Sequence, residues 1–292
     1  KSYYESIIKY LVYGNVLKNN TYPLSVSAER VSQALHIADH VKKIGADAVA
    51  HGSTGAGNDQ VRFDMIFHIM IPGVEIITPI RDMQLSRQQE IDYLKSKEVK
   101  MNFEKSVYSI NKGLWGTSVG GKETLSSNGM LPEEAWPTQL SKTDPEQIKL
   151  HFEKGELKGI NDTNFDNPVK AIQYLQTIAG PFAIGRDVHV GDTIIGIKGR
   201  VGFEAAASML IIKAHHALEK NVLTKWQLTL KSQLADFYGN WLHEGQLLDP
   251  VMRDIEAFFT SSQQNVTGDV FLQLMPYRFQ VTGIESAYDL MS

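Results

Sequence analysis

The sequence predicts an α/β protein in which a parallel-sheet part, residues 1–98, is followed by an α+β part, residues 99–292. Helical and strand patterns alternate through the first part, which is typical of a parallel sheet covered by helices. A glycine-rich turn at residues 52–57 joins one of these strands to the next helix. Because such sheets bind ligands at the carboxyl ends of their strands, this turn is a candidate binding site.

The first two helices and the first strand follow from residue spacing and from one glycine. Residues 3–11 carry apolar side chains at helical spacing, and residues 28–44 do so over a longer stretch. Gly45 is suited to end the second helix, because glycine readily adopts the left-handed conformation found at helix ends. Residues 46–50 are then typical of a short buried strand.

A third helix is predicted to start at Asn58 or Asp59, directly after the glycine-rich turn. Its predicted apolar face consists of Val61, Met65, Ile66 and Ile69. Residues 74–80 are typical of a strand, and Ser86 with Gln89 forms a capping box for a further helix.

The second part has a different pattern. Residues 106–145 are rich in Gly, Ser, Thr and Pro and show little periodicity, so we expect a long irregular segment with a functional or interfacial role. Beyond it the sequence predicts a hairpin over 148–160, a helix over 168–178, short strands over 188–190 and 194–198, helices over 203–220, 224–243 and 249–261, and a hairpin over 266–281.

Composition excludes several classes of function. The net charge of −4 argues against a general nucleic-acid binder, which usually has a basic surplus. Without cysteine there are no disulfides, thiolate zinc sites or cysteine nucleophiles, which suits a cytoplasmic protein. No apolar run approaches the roughly 20 residues that span a bilayer, so we expect no membrane partner.

The segment at residues 51–64 carries the strongest chemical signal. Its glycines permit close ligand approach, and the start of the following helix favours anions. Asn58 and Arg62 share one helix face, with Asp59 beside them, so an amide, a guanidinium and a carboxylate suit a zwitterionic amino acid. From the residues alone, the turn could also be an ordinary strand-to-helix connection, Asp59 only a helix cap, and Arg62 a surface cation.

This segment resembles the His-Gly-x-Thr-Gly-x-Gly-Asn-Asp-Gln-Val-Arg-Phe signature of argininosuccinate synthases, with Ala56 departing from the Lys common there. The resemblance implies an adenine-nucleotide α-hydrolase-like nucleotide-binding domain followed by a synthetase and oligomerisation domain. It also implies a cytoplasmic homotetramer of arginine biosynthesis that joins L-citrulline to L-aspartate through citrullyl-AMP. The nucleotide is ATP, with Mg²⁺ carried on its phosphates rather than by a protein-held metal site.

The same resemblance assigns binding roles but no acid or base catalyst. Two further segments that resemble the family, residues 22–30 and 108–118, supply part of the set. It implies ATP binding at Gly52, aspartate binding at Thr54, Asn58 and Asp59, and citrulline binding at Tyr22, Ser27, Asn58, Arg62, Ser109 and Ser118, with Arg30 as a further candidate. Without the family, Tyr22 is an ordinary half-buried aromatic and Ser27 caps a helix that starts at Ala28.

Two positions depart from the family pattern. Gly191 stands where the family commonly has a Glu, and Phe203 stands where it has a Tyr, both of which contact citrulline there. Asp192 could supply a carboxylate from one residue along, whereas Phe203 has no hydroxyl and is interpreted as a core residue. His36, His215 and His216 are interpreted as structural, because adjacent histidines on a helix point in different directions.

The family also has a Ser-Gly-Gly-x-Asp-x-Ser pyrophosphate loop and a C-terminal oligomerisation arm, neither of which occurs in these 292 residues. We therefore expect this chain alone to bind ATP poorly and not to turn over. Two other functions remain to be weighed: a non-catalytic amino-acid-binding module and a nucleotide-dependent oxidoreductase. The second is disfavoured because the glycine order is G-x-x-G-x-G rather than the dinucleotide-binding G-x-G-x-x-G.

Overall fold

The structure is a computed structural model that describes residues 1–55, 57–85, 87–99 and 108–291. It confirms the predicted order of an α/β part followed by an α+β part. A two-stranded parallel sheet lies in the first part, and two antiparallel sheets of five and four strands lie in the second. None of the helices in the described ranges combines the length and apolar character needed to cross a membrane.

The first part follows the predicted alternation of helices and strands. After a π-helical turn at Tyr4–Ile8, its elements are α1 (Lys9–Tyr13), α2 (Ser25–Ile44), β1 (Ala48–Ala50), α3 (Asp59–Met70), β2 (Glu75–Ile77), α4 (Pro79–Asp82) and α5 (Arg87–Ser96). Strands β1 and β2 pair in parallel, with Val49 opposite Ile76. The strand predicted over 74–80 is shorter because Pro79 starts α4. The capping role predicted for Ser86 lies outside the described residues.

The second part contains nine strands and four α-helices among the described residues. They are β3 (Ser109–Gly113), β4 (Gly116–Gly120), β5 (Glu146–Glu153), β6 (Glu156–Ile160), β7 (Thr163–Asn164), α6 (Pro168–Ala179), β8 (Arg186–Asp192), β9 (Lys198–Glu204), α7 (Ala206–Val222), α8 (Lys225–His243), α9 (Pro250–Ser262), β10 (Gly268–Met275) and β11 (Arg278–Glu285). The five-stranded sheet has the order β11-β10-β5-β6-β7, and the four-stranded sheet has the order β3-β4-β9-β8.

Two predictions about the second part are wrong. Residues 106–145 are not irregular throughout, because β3 and β4 form a hairpin there whose small and polar side chains hide the strand alternation. Residues 194–197 form the turn between β8 and β9 rather than a strand, and Gly196 has a φ of +83°. Its isoleucines therefore mark an apolar turn, not a buried strand.

The start of α2 also differs from the prediction. The helix begins at Ser25, three residues before the predicted start, and Leu24 precedes it with a left-handed φ of +59°. Ser27 therefore lies in the first turn and is not the cap, and its hydroxyl donates to the Leu24 carbonyl at 3.5 Å. Leu24 is fully buried, and this burial holds the chain where α2 enters the core.

One continuous hydrophobic core joins the two parts. It includes Ile7 and Leu11 near the amino terminus together with Leu210 and Phe259 from the second part. The predicted apolar face of α3 is only partly right, because Ile66 is buried but Ile69 is 58% exposed, and the set of buried residues differs. These buried residues are Arg62, Phe63, Ile66 and Phe67. Aromatic rings bury more surface than isoleucine, and the Phe63 ring stacks on His51.

Candidate functional site

A cavity of about 350 Å³ lies between the amino-terminal ends of α2 and α3 and the four-stranded antiparallel sheet. Seven of the predicted site residues line it: Tyr22, Ser27, Thr54, Asn58, Asp59, Arg62 and Ser118. Gly52 and Ser109 do not line it. The fold therefore brings residues from three separate segments of the sequence to a single polar cavity.

The wall formed by α3 is ionic. Asp59, at the first position of the helix, accepts from the Arg30 Nε at 3.2 Å and from the Arg62 guanidinium at 2.8 Å. Arg62 is only 3% exposed, so it is not a surface cation. Asp59 is not a helix cap either, because Asn58 precedes the helix and no side chain caps it. The Asn58 side-chain oxygen instead accepts from the Ile194 backbone N–H at 2.8 Å.

His243, at the end of α8, completes this wall. Its carbonyl oxygen accepts from Arg62 Nε at 2.9 Å, and its Nδ1 lies 3.3 Å from the other end of the guanidinium. Burial, and then the charge of Arg62, lower the pKa of His243 to about 2. A neutral ring can accept a hydrogen bond from Arg62 at Nδ1, so the lowered pKa is consistent with the observed contact. Burial lowers the pKa of Arg62 while Asp59 opposes that change, and an arginine remains charged under these conditions.

The opposite side of the cavity contains a neutral wall of Tyr22, Ser118 and His189, and the charged Asp192 and Arg200 line the cavity as well. Tyr22 is buried rather than half-buried, and its ring stacks on His189 with centroids 5.1 Å apart. The Tyr22 hydroxyl oxygen accepts from the Val26 backbone N–H at 3.2 Å, which ties it to the first turn of α2. Phe203 is fully buried, as predicted for a core residue, and lies opposite Ser118 in the pairing of β4 with β9.

The glycine-rich turn is held by a hydrogen-bonded chain beside the cavity. His51 Nδ1 accepts from the Ser53 backbone N–H at 3.3 Å, and its Nε2 donates to Asp64 at 2.9 Å. Asp64 also pairs with Arg81, and these two partners together lower the pKa of its carboxyl group despite its partial burial. At Gly52, an added Cβ would meet only Ile80, at 3.9 Å, so the backbone there is open to close approach by a ligand.

Sequence reasoning missed two histidines of the site. His243 reaches Arg62 from 181 positions away in the chain, and His189 lies on the neutral wall two residues before Gly191. No local pattern marks His243. For His189 the available signal was its position two residues before Gly191 on β8, since residues two apart share a strand face. Among the described residues, no group of three or more His, Asp or Glu side chains is arranged to hold a metal ion.

The chain matches family models along both of its parts. Residues 1–100 match the arginosuccinate synthase N-terminal HUP domain, and residues 108–292 match the arginosuccinate synthase C-terminal domain.

Individual relatives agree with the family models. The argininosuccinate synthase of Methanocaldococcus jannaschii is 37% identical over 274 residues, which are 93% of this chain and 69% of that protein. That of Dictyoglomus thermophilum is 36% identical over 94% of this chain and 70% of its own. That of Sulfolobus acidocaldarius is 32% identical over 100% of this chain and 75% of its own. The resemblance predicted from residues 51–64 is confirmed, and the chain belongs to the argininosuccinate synthase family.

Proposed function

We propose that the cavity binds L-citrulline and L-aspartate side by side, for the ATP-dependent ligation that argininosuccinate synthases carry out. In that reaction the ureido oxygen of citrulline attacks the α-phosphate of ATP, and pyrophosphate leaves. The aspartate amine then attacks the activated ureido carbon, and AMP leaves. The observation that carries the proposal is the meeting of Asn58, Asp59 and Arg62 with Tyr22, Ser27 and Ser118 around one cavity.

Aspartate is placed at the start of α3, against Thr54, Asn58 and Asp59. The Asn58 oxygen is already used by the Ile194 N–H, whereas its amide NH₂ has no partner among the described residues and can donate to a substrate carboxylate. The amino-terminal end of a helix also favours a negative charge. Asp59 supplies the carboxylate that attracts the substrate ammonium group.

Citrulline is placed between Arg62 and the neutral wall, with Tyr22, Ser27 and Ser118. Within the described part of the chain, Arg62 uses three of its five N–H groups on Asp59 and His243, which leaves two for the substrate. Ser109 remains a proposed contact at the end of the citrulline site. It lies on β3 two residues from Asn111. Asn111 pairs with Ser118 on β4, and both of these residues line the cavity.

The nucleotide is placed over the glycine-rich turn, with Gly52 against it and Mg²⁺ bound to its phosphates. The open backbone at Gly52 fits such an approach. Holding two amino acids and a nucleotide in reacting geometry supplies much of the rate in a reaction of this kind. The protein's part is therefore to orient the substrates, and no side chain is assigned as a general acid or base.

The family implies a cytoplasmic homotetramer, and the exposed aromatic side chains of α8 suit a contact between its subunits. Trp226 is 71% exposed and Phe237 is 54% exposed on that helix, which suits a contact between subunits. Sedimentation of the full-length protein tests this proposal. A Trp226→Glu variant that assembles as the unaltered protein does would remove the argument from α8.

The ligase function is tested by calorimetry followed by an assay of pyrophosphate release on the full-length protein. We expect saturable binding of citrulline and aspartate, and pyrophosphate release that requires ATP and citrulline. Asp59→Asn should weaken aspartate binding, whereas Asp39→Asn, at an exposed position on α2, should not. Binding without pyrophosphate release would instead favour the non-catalytic amino-acid-binding module, and absence of binding would refute both functions.

A further inference from the structure

His189 is a buried side chain of the cavity wall with an unsatisfied polar atom. It is only 6% exposed, and its ring stacks on Tyr22. Its Nδ1 is buried and has no hydrogen-bond partner in the part of the chain that the structure describes. Because Nδ1 has no access to solvent, a ligand in the cavity can meet this ring only through its other nitrogen, Nε2.

The ring of His189 occupies the space that a side chain at position 191 would need. A Cβ added to Gly191 would lie 2.7 Å from His189 Nε2 and 3.0 Å from its Cε1. Residues two apart on a strand face the same side, so His189 and Gly191 share the face of β8 that lines the cavity. Gly191 therefore leaves room for the imidazole, which presents its polar edge where any other residue at 191 would place a side chain.

Burial and a nearby positive charge make His189 a neutral acceptor. Burial, and then the charge of Lys18, lower the pKa of His189 to about 4, so the ring is uncharged at neutral pH. A neutral imidazole has one N–H donor and one lone pair that accepts. The carboxylates on the cavity wall already have cationic partners. Asp59 pairs with Arg30 and Arg62, and Asp192 pairs with Lys198.

The proposed ligase reaction, on which this inference rests, sets the orientation of citrulline relative to this wall. The ureido group of citrulline must lie next to the aspartate amine, at the start of α3. Its α-amino and α-carboxylate groups then point away from α3, toward the wall that contains Ser118 and His189. Arg200, on β9, lines the cavity and is available for the carboxylate, whereas the ammonium group needs an acceptor.

We infer that His189 accepts, through Nε2, a hydrogen bond from the α-ammonium group of citrulline and thereby determines specificity at that end of the substrate. Gly191 is part of the same arrangement, since it makes the room for the ring. Asp192 is the competing acceptor. It also lines the cavity, but its carboxylate already pairs with Lys198 at 2.7 Å.

A comparison of two ligands tests the inference. Calorimetry on the full-length protein would use citrulline and 5-ureidopentanoate, which is citrulline without its amino group. His189→Phe keeps an aromatic ring against Tyr22 but removes the acceptor. We expect it to bind citrulline roughly 10- to 100-fold more weakly, as expected for losing a charge-assisted hydrogen bond. Its affinity for 5-ureidopentanoate should stay within about twofold, which also shows that the cavity is intact. His189→Gln, which keeps an acceptor, should recover part of the citrulline affinity.

Three results would overturn the inference. An equal loss for both ligands in His189→Phe would mean that the ring only shapes the cavity. No loss for either ligand would mean that it does not contact the substrate. A selective loss of citrulline in Asp192→Asn but not in His189→Phe would assign the ammonium to Asp192. Failure of the unaltered protein to bind citrulline is a separate outcome, because it contradicts the proposed function itself.

Discussion

Two networks of ion pairs and hydrogen bonds stabilise different regions of this molecule. One is closed, because protein groups surround it completely, and the other is open to the cavity on one side. The interior network consists of Asn15, His215, Glu219, Lys231 and Gln263. The cavity network consists of Arg30, Asp59, Arg62 and His243. Both join helices that are distant in sequence, and both are rich in charge-assisted hydrogen bonds.

The interior network satisfies its charges entirely with protein groups. Glu219 accepts from Lys231 at 2.7 Å, from Asn15 at 2.5 Å and from Gln263 at 2.8 Å. The Lys231 ammonium also donates to the Tyr13 carbonyl. Both charged side chains are almost fully buried, so no ligand reaches them. The role of this network is therefore structural.

The cavity network keeps some of its bonding capacity free. Its carboxylate, Asp59, is 37% exposed on its side chain, although Arg62 behind it is buried. Burial fixes the guanidinium in place, and the open side of Asp59 faces the cavity. The difference indicates that the same chemistry contributes to stability where it is sealed and to binding where one side is left to solvent.

The largest expected effect is on the interior network. Lys231→Met should lower the free energy of unfolding by about 3–5 kcal/mol, because it leaves the Glu219 carboxylate buried without its cation. Urea denaturation measures this change. The matched control is Lys225→Met, an exposed lysine on the same helix, where we expect a change of less than about 1 kcal/mol. Equal losses in the two variants would show that Lys231 contributes no more to stability than a surface lysine, and the interior network would lose its structural role.

The next largest effect should be on binding rather than on stability. Arg62→Met should weaken citrulline binding about 100-fold, or about 2.7 kcal/mol, because it removes the guanidinium proposed to hold the substrate. Its cost in unfolding free energy should be smaller than that of Lys231→Met, since Asp59 keeps Arg30 as a partner. Calorimetry and urea denaturation of one preparation compare the two, with Arg278→Met on exposed β11 as control. A variant that is destabilised but binds normally would contradict an open, ligand-directed network.

Acid should destabilise the cavity network through His243. Its pKa is about 2 in the folded chain and about 6.5 when unfolded, so only the unfolded state takes up the proton between these values. The stabilisation is complete above pH 6.5 and is lost as the pH falls toward 2. From pH 7 to pH 5 this amounts to about 2 kcal/mol. His243→Asn keeps an acceptor but does not titrate. Between pH 7 and pH 5 its loss of unfolding free energy should therefore be about 2 kcal/mol smaller than that of the unaltered protein. Identical pH profiles would show that His243 is not held neutral.

The sequence predicted the local chemistry of the site better than its long-range contacts. Asn58, Asp59 and Arg62 were grouped correctly because helical spacing places them at one end of α3. Their partner His243 was not found, because its position depends on how α8 packs against α3. The same is true of Lys231 and Glu219, whose pairing needs the whole core. The hairpin of β3 and β4 was missed because glycines and polar residues outnumber Ile110 and Val119 in its two strands.

The smallest expected effect concerns the link between the two cavity walls. Asn58→Ala removes the acceptor of the Ile194 N–H, which ties α3 to the turn between β8 and β9. We expect a loss of about 1 kcal/mol in unfolding free energy and faster amide exchange at Ile194. Asn58→Asp keeps an oxygen at that place and should preserve the protection. If both variants exchange at the same rate as the unaltered protein, the ionic and neutral walls are held together by the core alone, and Asn58 is left with substrate binding as its role.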